Sequence, residues 1–268
     1  MPLFGTAPDR RAFPRSNLPW SGRLAAAEDI AAFISKLERR DSLSDDEKSA
    51  LLSAAGAVET FPAGSDLVLE GDRPDRSMLV ASGFTTRYRL LGDGTRQITA
   101  IHLPGDFVDL HSFLLKTMDH SVGALSACRV VTFPHANLKA ITERHPHLTR
   151  LLWLMTLLDS AIHREWIVAM GRRSAMEQMA HLLCEIFTRL AVVGLGNRDR
   201  ELMLPINQTE LGDTLGLSTV HVNRTLQQLR AEQLISWQGQ AVRILDWDRL
   251  AKIAEFDPTY LHLDPEPR

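Results

Sequence analysis

The chain has 268 residues, of which 44% are hydrophobic and 24% are charged, and its formal net charge is −3. These values are typical of a globular protein, and the small negative charge gives no support for nucleic-acid binding. The longest strongly apolar run, Leu151 to Leu158, is too short to span a membrane. Two cysteines, Cys128 and Cys184, exclude a disulfide framework, so we expect a reduced, cytoplasmic protein without membrane contact.

The first half of the chain changes from helical to β-type patterning near residue 58. Residues 1–23 contain four prolines and predict a loose arm. Helical spacing follows, and Ser44 with Glu47 forms a capping box that predicts a second helix. Short β-type runs separated by glycine-containing turns then predict an antiparallel β-roll of about eight strands, so that residues 24–145 are expected to form one effector-type domain.

A long helix is predicted to begin at Pro146 and to continue to residue 170, where Gly171 is expected to break it. The helix is apolar on two faces, and both must be buried. We expect one face to pack on the roll and the other to pair with the same helix of a second chain. The face assigned to the dimer contains Leu148, Leu152, Met155, Ile162 and Trp166, interrupted by Asp159.

Residues 171–252 contain the strongest signal for function. Asn207 with Glu210 predicts the start of one helix, Gly216 a tight turn, and Ser218 the start of a second helix. Two helices joined by a short glycine-containing turn are typical of a helix-turn-helix. A short hairpin around Gly239 follows and predicts a wing, and residues 253–268 are expected to form a tail.

The second of these helices, residues 218–230, is predicted to read DNA with the side chains at its start. Arg224 is expected to contact guanine, Asn223 adenine, and Val220 a thymine methyl group. Ser218, His221 and Gln227 are expected to position phosphates. A solvated helix charge remains the alternative for Arg224, and a plain exposed histidine the alternative for His221. The predicted DNA-binding residues are Ser218, Thr219, Val220, His221, Asn223, Arg224 and Gln227.

The whole layout, over about residues 45–250, resembles the Crp/Fnr superfamily of bacterial transcription regulators. Phe61-Pro-Ala-Gly64, Leu69-Glu-Gly-Asp72 and Leu103-Pro-Gly-Asp-Phe107 are similar to recurrent turns of that family. The resemblance implies an α+β protein with a cyclic-nucleotide-binding-like jelly roll, a dimerisation helix and a winged helix-turn-helix. It also implies a homodimer without enzymatic activity that binds a two-fold symmetric operator in double-stranded DNA, with RNA polymerase as a partner.

Two departures from the family bear on the effector. Members that bind cyclic AMP have Gly-Glu and Arg-Ser pairs where this chain has Val108–His111 and Asp119–Val122, so cyclic AMP is not expected. Iron–sulfur members need an N-terminal cysteine cluster, which residues 1–60 lack. We therefore expect no known cofactor, and the effector stays open.

The candidate pocket residues are Asp109, His111, His120 and Ser121. A metal or haem ligand among His102, His111 and His120 is one hypothesis, and ordinary hydrogen-bonded histidines are the other. Cys128 is either a thiol sensor or a small buried side chain. Two alternative functions are a cupin-like metal-binding enzyme and a regulatory module for a partner enzyme. Pro104 follows His102 where a cupin needs histidine, and the missing Glu and Arg count against the module.

Overall fold

The computed structural model describes residues 23–196 and 199–268. Apart from Arg23, the predicted N-terminal arm lies outside the described residues. Within them, two helices precede seven strands and a four-residue helix. These elements are α1 (Ala27–Glu38), α2 (Asp45–Ala54), β1 (Val58–Phe61), β2 (Asp66–Val68), β3 (Arg76–Ser82), β4 (Thr85–Leu90), β5 (Arg96–His102), α3 (Ser112–Leu115), β6 (Ser121–Ala124) and β7 (Cys128–Pro134).

The seven strands form two antiparallel sheets, with the orders β1-β7-β3 and β2-β6-β4-β5. Val80 and Val130 of the first sheet pack with Val68 and Val122 of the second, so the two sheets enclose one apolar interior. The predicted roll is therefore confirmed, with one strand fewer than expected. An isolated antiparallel bridge also joins Leu79 of β3 to Phe107.

Three helices follow the roll, and the second of them is 27 residues long. They are α4 (His135–Arg144), α5 (Pro146–Arg172) and α6 (Ala175–Val192). Gly171 does not break α5, contrary to expectation. The helix ends at Arg172 because Arg173 is extended, with φ −87° and ψ 146°, and Ser174 then caps α6.

The remaining described residues form a helix-turn-helix with a small sheet. The elements are β8 (Glu201–Met203), α7 (Gln208–Leu215), α8 (Thr219–Ala231), β9 (Ile235–Gln238), β10 (Ala241–Ile244) and α9 (Trp247–Ala254). The order β8-β10-β9 shows that the predicted wing hairpin gains a third strand. Because β10 alternates buried and exposed residues, Val242 and Ile244 cover the core of this domain.

The C-terminal domain packs directly on the roll. Ile98 and Ile101 of β5 share one apolar core with Met179 and Leu183 of α6. Polar contacts extend the interface to α7: Arg96 Nε lies 2.8 Å from an Asp213 carboxylate oxygen, and the Gln97 amide donates to the Asp213 carbonyl at 2.7 Å. The position of the helix-turn-helix is therefore coupled to β5.

Residues 255–268, predicted as part of a tail, are packed rather than free. We call them the C-terminal strap. The Tyr260 hydroxyl donates to Glu185 at 2.9 Å, and Arg40, just after α1, donates to the Leu261 carbonyl at 2.7 Å. The backbone N–H of Arg268 donates to Asp41 at 2.6 Å. The strap thus connects α6 with the segment around Arg40 and Asp41, which joins α1 to α2.

Candidate DNA-binding surface and effector pocket

Local hydrogen bonds determine where the two helices of the helix-turn-helix begin and end. The Asn207 side chain accepts from the N–H of Glu210 at 2.9 Å, and the Glu210 carboxylate accepts from the N–H of Asn207 at 2.8 Å. Gly216 ends α7 in the left-handed region, with φ +66°, and Ser218 caps α8. The predicted start and end signals are therefore confirmed.

Gly212 permits the close approach on which this motif depends. A Cβ atom at this position would lie 2.5 Å from the carbonyl oxygen of Leu217 in the turn, a distance that real Cβ atoms do not adopt. The absence of a side chain lets the turn fold back onto α7. Val222 and Leu226 of α8 then reach the same core as Leu211 of α7.

The start of α8 presents the predicted DNA-binding side chains to solvent. Ser218, Thr219, Val220, Arg224 and Gln227 are exposed, with Val220 79% accessible. His221 and Asn223 are half-buried. The first turn of α8 is thus open on the side opposite its buried face.

A chain of side-chain amides links the two helices of the motif. Asn223 donates to Gln208 at 3.2 Å, and Gln227 donates to Asn223 at 2.9 Å. Gln208 was not predicted as a site residue, although its place in the first turn of α7 was a usable signal. The amide of Asn223 is therefore held in place, whereas Arg224 makes no hydrogen bond or ion pair within the described ranges.

A cavity of about 530 Å³ lies between the roll, α1 and α5. Arg87 of β4 crosses it and is buried. Its guanidinium Nη1 lies 2.9 Å from Asp159 Oδ2 and 3.1 Å from His163 Nε2, both on α5, and its Nη2 donates to the Val108 carbonyl at 3.3 Å. Arg87 therefore ties the roll to the long helix at the pocket.

Arg87 was not predicted as a pocket residue. The sequence lacks arginine where cyclic-AMP-binding relatives have it, but β4 supplies one from elsewhere in the roll. Arg87 lies within Thr85–Tyr88, the buried part of β4. A charged residue in a strand otherwise suited to burial was the feature that could have pointed to a role in the pocket. A buried charge of this kind needs a partner, and here Asp159 provides it.

Only two of the four predicted pocket residues line the cavity, namely His111 and His120. Asp109 is buried beside β3, where its carboxylate accepts from the Met78 N–H at 2.6 Å. Burial raises the pKa of Asp109 to about 7 against that hydrogen bond. Ser121 accepts from the Glu70 N–H at 3.0 Å. Asp109 and Ser121 hold the backbone of the roll instead of facing the pocket.

Burial lowers the pKa of each histidine that lines the pocket. Burial lowers the pKa of His120 to about 4, with further lowering by Arg87 and His111. Burial also lowers the pKa of His102 well below its usual value, and His102 lines the same cavity.

Cys128 lies outside the cavity lining and is buried, and its burial raises the thiol pKa to about 11.

The face of α5 predicted to form the dimer is largely covered within one protomer. Leu148, Leu152, Met155 and Trp166 are buried, and Ile162 is half-buried. Trp166 donates its indole N–H to Glu185 at 3.1 Å. These side chains are therefore not free to meet a second chain, which corrects the predicted face. Asp159 is the polar residue that interrupts this face, and it forms an ion pair with Arg87 of the roll.

Another face of α5 remains exposed, and three of its side chains, Trp153, Leu157 and Ile167, are large and apolar. We define the exposed α5 stripe as Trp153, Leu157, Ser160, Arg164, Ile167 and Gly171. Its members alternate at spacings of four and three, which is the repeat of a coiled coil.

In the described part of the chain, no helix is long and apolar enough to cross a membrane.

Comparison with known proteins agrees with this architecture. Residues 58–145 match the family model for the cyclic nucleotide-binding domain, and residues 177–253 match the model for the Crp-like helix-turn-helix domain. The transcriptional activator protein FnrL of Cereibacter sphaeroides is 30% identical over 216 residues, covering 80% of this chain and 86% of that protein.

Two further relatives extend the likeness. The nitrogen fixation regulation protein FixK of Bradyrhizobium diazoefficiens is 30% identical over 194 residues, covering 72% of this chain and 80% of that protein. The structure of FixK2 from Bradyrhizobium japonicum superposes with a TM-score of 0.68 at 26% identity, covering 74% of this chain and 96% of that one. The chain therefore belongs to the Crp/Fnr family of DNA-binding transcription regulators.

Proposed function

We propose that the protein binds a two-fold symmetric operator as a homodimer, with α8 of each protomer in the major groove of double-stranded DNA. The exposed first turn of α8, with an unpaired Arg224 among the described residues, carries this proposal. The major groove admits an α-helix, and the residues at the start of such a helix reach the edges of the bases. Two half-sites about 34 Å apart would match such a dimer.

The exposed α5 stripe supports the dimer. Trp153, Leu157 and Ile167 offer an apolar surface that water solvates poorly, and the heptad spacing suits a second copy of α5. Because α5 ends directly before the C-terminal domain, parallel pairing of the two helices would place both copies of α8 on the same side. We therefore assign dimerisation to this stripe.

The contacts with DNA divide into two groups. Arg224 is assigned a bidentate contact with guanine, and Val220 a contact with a thymine methyl group. Asn223 reads adenine only if it exchanges its bonds with Gln208 and Gln227. The remaining polar side chains of the predicted set are assigned to phosphates, which set the register of the protein on the duplex. These residues are Ser218, Thr219, His221 and Gln227.

The roll and its cavity serve as the sensor in this proposal. Any effector that fills the space between Arg87 and α5 would act on the helix that also carries the dimer face. We assign sensing to residues 24–145, dimerisation to α5, and DNA binding to the domain that follows it. RNA polymerase is the proposed protein partner, because a relative such as FnrL is named a transcriptional activator.

Selection of genomic fragments by the purified full-length protein tests the proposal. Sequencing of the bound fragments is expected to reveal an inverted repeat, and footprinting is expected to protect both halves symmetrically. Fragments without a shared motif, or protection of a single half-site, would contradict the two-fold arrangement. Analytical ultracentrifugation of the protein with a duplex that contains one inverted repeat then gives the stoichiometry. We expect two chains per duplex.

A further inference from the structure

Three side chains with metal-binding donor atoms converge at one end of the cavity. They are His111, Asp119 and His120, all in the segment between β5 and β6. One donor atom from each lies within 4.8 Å of the donor atoms of the other two. The rings of His111 and His120 have their centroids 5.0 Å apart. The three side chains therefore form one compact cluster of potential metal donors.

Two of these groups have buried nitrogen atoms without a partner. Nε2 of His111 and Nε2 of His120 are inaccessible to solvent and have no hydrogen bond among the described residues. The side chain of His120 is more than nine-tenths buried. A buried polar atom left unpaired is costly, and native proteins rarely retain one without a use for it. A ligand that accepts the lone pairs would remove that cost.

The carboxylate of Asp119 orients His120 for such a ligand. Nδ1 of His120 lies 2.6 Å from Asp119 Oδ1, so the proton resides on Nδ1 and the lone pair of Nε2 is free. A carboxylate that holds one imidazole nitrogen while the other faces a metal is a recurrent arrangement in metalloproteins. Asp119 is 75% exposed, which leaves its second oxygen available at the entrance.

The neighbouring charges do not explain these groups. Arg87 is a buried cation that lines the same cavity, but it is already paired with Asp159 and His163. Its positive charge is thereby balanced within the cavity, so the repulsion that it would exert on a second cation is reduced. Neither Asp159 nor His163 bonds to His111 or His120 in the described contacts.

We propose that His111 and His120 bind a first-row divalent transition-metal ion through their Nε2 atoms, with Asp119 holding Nδ1 of His120 and the remaining coordination positions open to the cavity. Imidazole nitrogens suit Fe²⁺, Co²⁺ or Zn²⁺, whereas Mg²⁺ and Ca²⁺ prefer oxygen ligands throughout. The open positions make the ion accessible to a small molecule that enters between the roll and α5. The site belongs to the roll, so its existence does not depend on the proposed operator.

Titration with Co²⁺ tests the site, because this ion reports its ligands through visible d–d absorption bands. The full-length protein is purified without a polyhistidine tag and treated with a chelator first. We expect one Co²⁺ per chain, displaced by Zn²⁺. His111→Ala and His120→Ala are expected to abolish the bands, and Asp119→Asn to weaken Co²⁺ binding about 10–100-fold.

Asp119→Asn is the decisive variant, because the exposure of this side chain leaves the fold intact whatever happens to the ion. His262→Ala serves as the matched control, since His262 is exposed and outside the cavity lining. Zn²⁺ is also expected to raise the Tm of the wild type and of His262→Ala, but far less that of Asp119→Asn.

The proposal is overturned if the wild type binds no Co²⁺, or binds it equally well in Asp119→Asn and His120→Ala. Selection of genomic DNA by the same preparation is scored separately. If the protein selects an inverted repeat but binds no Co²⁺, the metal site is refuted and the proposed operator stands. If the protein binds Co²⁺ at these residues but selects no DNA motif, the proposed operator is refuted and the metal site stands.

Discussion

Arg224 and Asn223 lie next to each other on α8, yet their surroundings differ. Asn223 is held by Gln208 and Gln227, whereas Arg224 is exposed and makes no hydrogen bond or ion pair with any residue in the described segments. A side chain that has no protein partner loses none when it binds a base. For this reason Arg224 is the side chain that we expect to contribute most to sequence preference.

Arg224→Ala is expected to weaken binding to the selected operator by about 1–3 kcal/mol and to relax preference at one base pair in each half-site. Its affinity for random duplex should fall much less, because phosphate contacts carry that binding. Fluorescence anisotropy with both duplexes at fixed salt measures the two values. Gln228→Ala, on the same helix and outside the predicted set, is the control. An equal loss on both duplexes would reduce Arg224 to a phosphate contact.

His147, at the start of α5, is positioned between two carboxylates. Its Nδ1 lies 2.6 Å from Glu47 and its Nε2 3.1 Å from Asp41. Burial alone would lower the pKa of His147, but the hydrogen bonds to Asp41 and Glu47 outweigh it and raise the pKa above its usual value. The protonated ring therefore stabilises the fold below the unfolded pKa of about 6.5.

This stabilisation is lost as the pH rises through the raised pKa of folded His147. We expect the Tm advantage of wild type over His147→Gln to be greatest near about pH 6 and to shrink toward about pH 9. Thermal unfolding across that range gives the comparison. Glu47→Gln removes one of the two carboxylates and should reduce the same pH-dependent component. Parallel Tm curves for wild type and His147→Gln would refute the assignment.

At the scale of elements, α5 has two apolar faces with different roles. One face meets the roll and α6 through Leu148, Met155 and Trp166. The other, the exposed α5 stripe, has no covering element in the described part of the chain. Periodicity alone does not distinguish the two faces, because both repeat at helical spacing.

Leu157→Asp is expected to convert the dimer into a monomer, because a carboxylate in a coiled-coil contact loses its hydration without gaining a partner. Leu157 is 51% exposed in the protomer, so the substitution leaves the protomer fold intact. Analytical ultracentrifugation measures the change, with operator affinity expected to fall as well. Leu69→Asp makes the same change at a leucine of similar exposure, 48%, on the roll. Dimers that persist in Leu157→Asp would rule out this stripe.

At the scale of the molecule, buried charges join the roll, α1 and α6. Asp106 pairs with Lys36 of α1 and with Arg189 of α6, and Arg189 also pairs with Glu185. Burial would raise the pKa of Asp106, but the positive charges of Lys36 and Arg189 hold it well below its usual range. Such a network has a stable arrangement only when every member is paired. The relative position of sensor and C-terminal domain therefore depends on it.

The C-terminal strap completes this network through Tyr260. Tyr260→Phe leaves the buried carboxylate of Glu185 without one of its donors and is expected to cost about 1–3 kcal/mol of unfolding free energy. Urea denaturation followed by circular dichroism measures the loss. Thr259→Ala deletes an exposed hydroxyl one residue earlier and should change stability by less than about 0.5 kcal/mol. Equal stability of Tyr260→Phe and wild type would show that the strap is not coupled to Glu185.

The sequence by itself determined the class of protein. The roll, the helix-turn-helix and its caps were predicted because their signals are local: Gly216, Ser218 and the Asn207–Glu210 box act within a few residues. Membership of a regulator family then sets aside the cupin-like enzyme and the module for a partner enzyme. Function at this level follows from short-range chemistry.

The tertiary structure alone decided which surfaces face each other. It showed that Arg87 reaches the pocket, that Asp109 and Ser121 do not, and that the strap crosses between domains. It also showed that Leu148, Leu152, Met155 and Trp166 of α5 are buried within one protomer. Each of these depends on contacts between residues far apart in the chain, and a hydrophobic period records that a face is buried without recording what buries it.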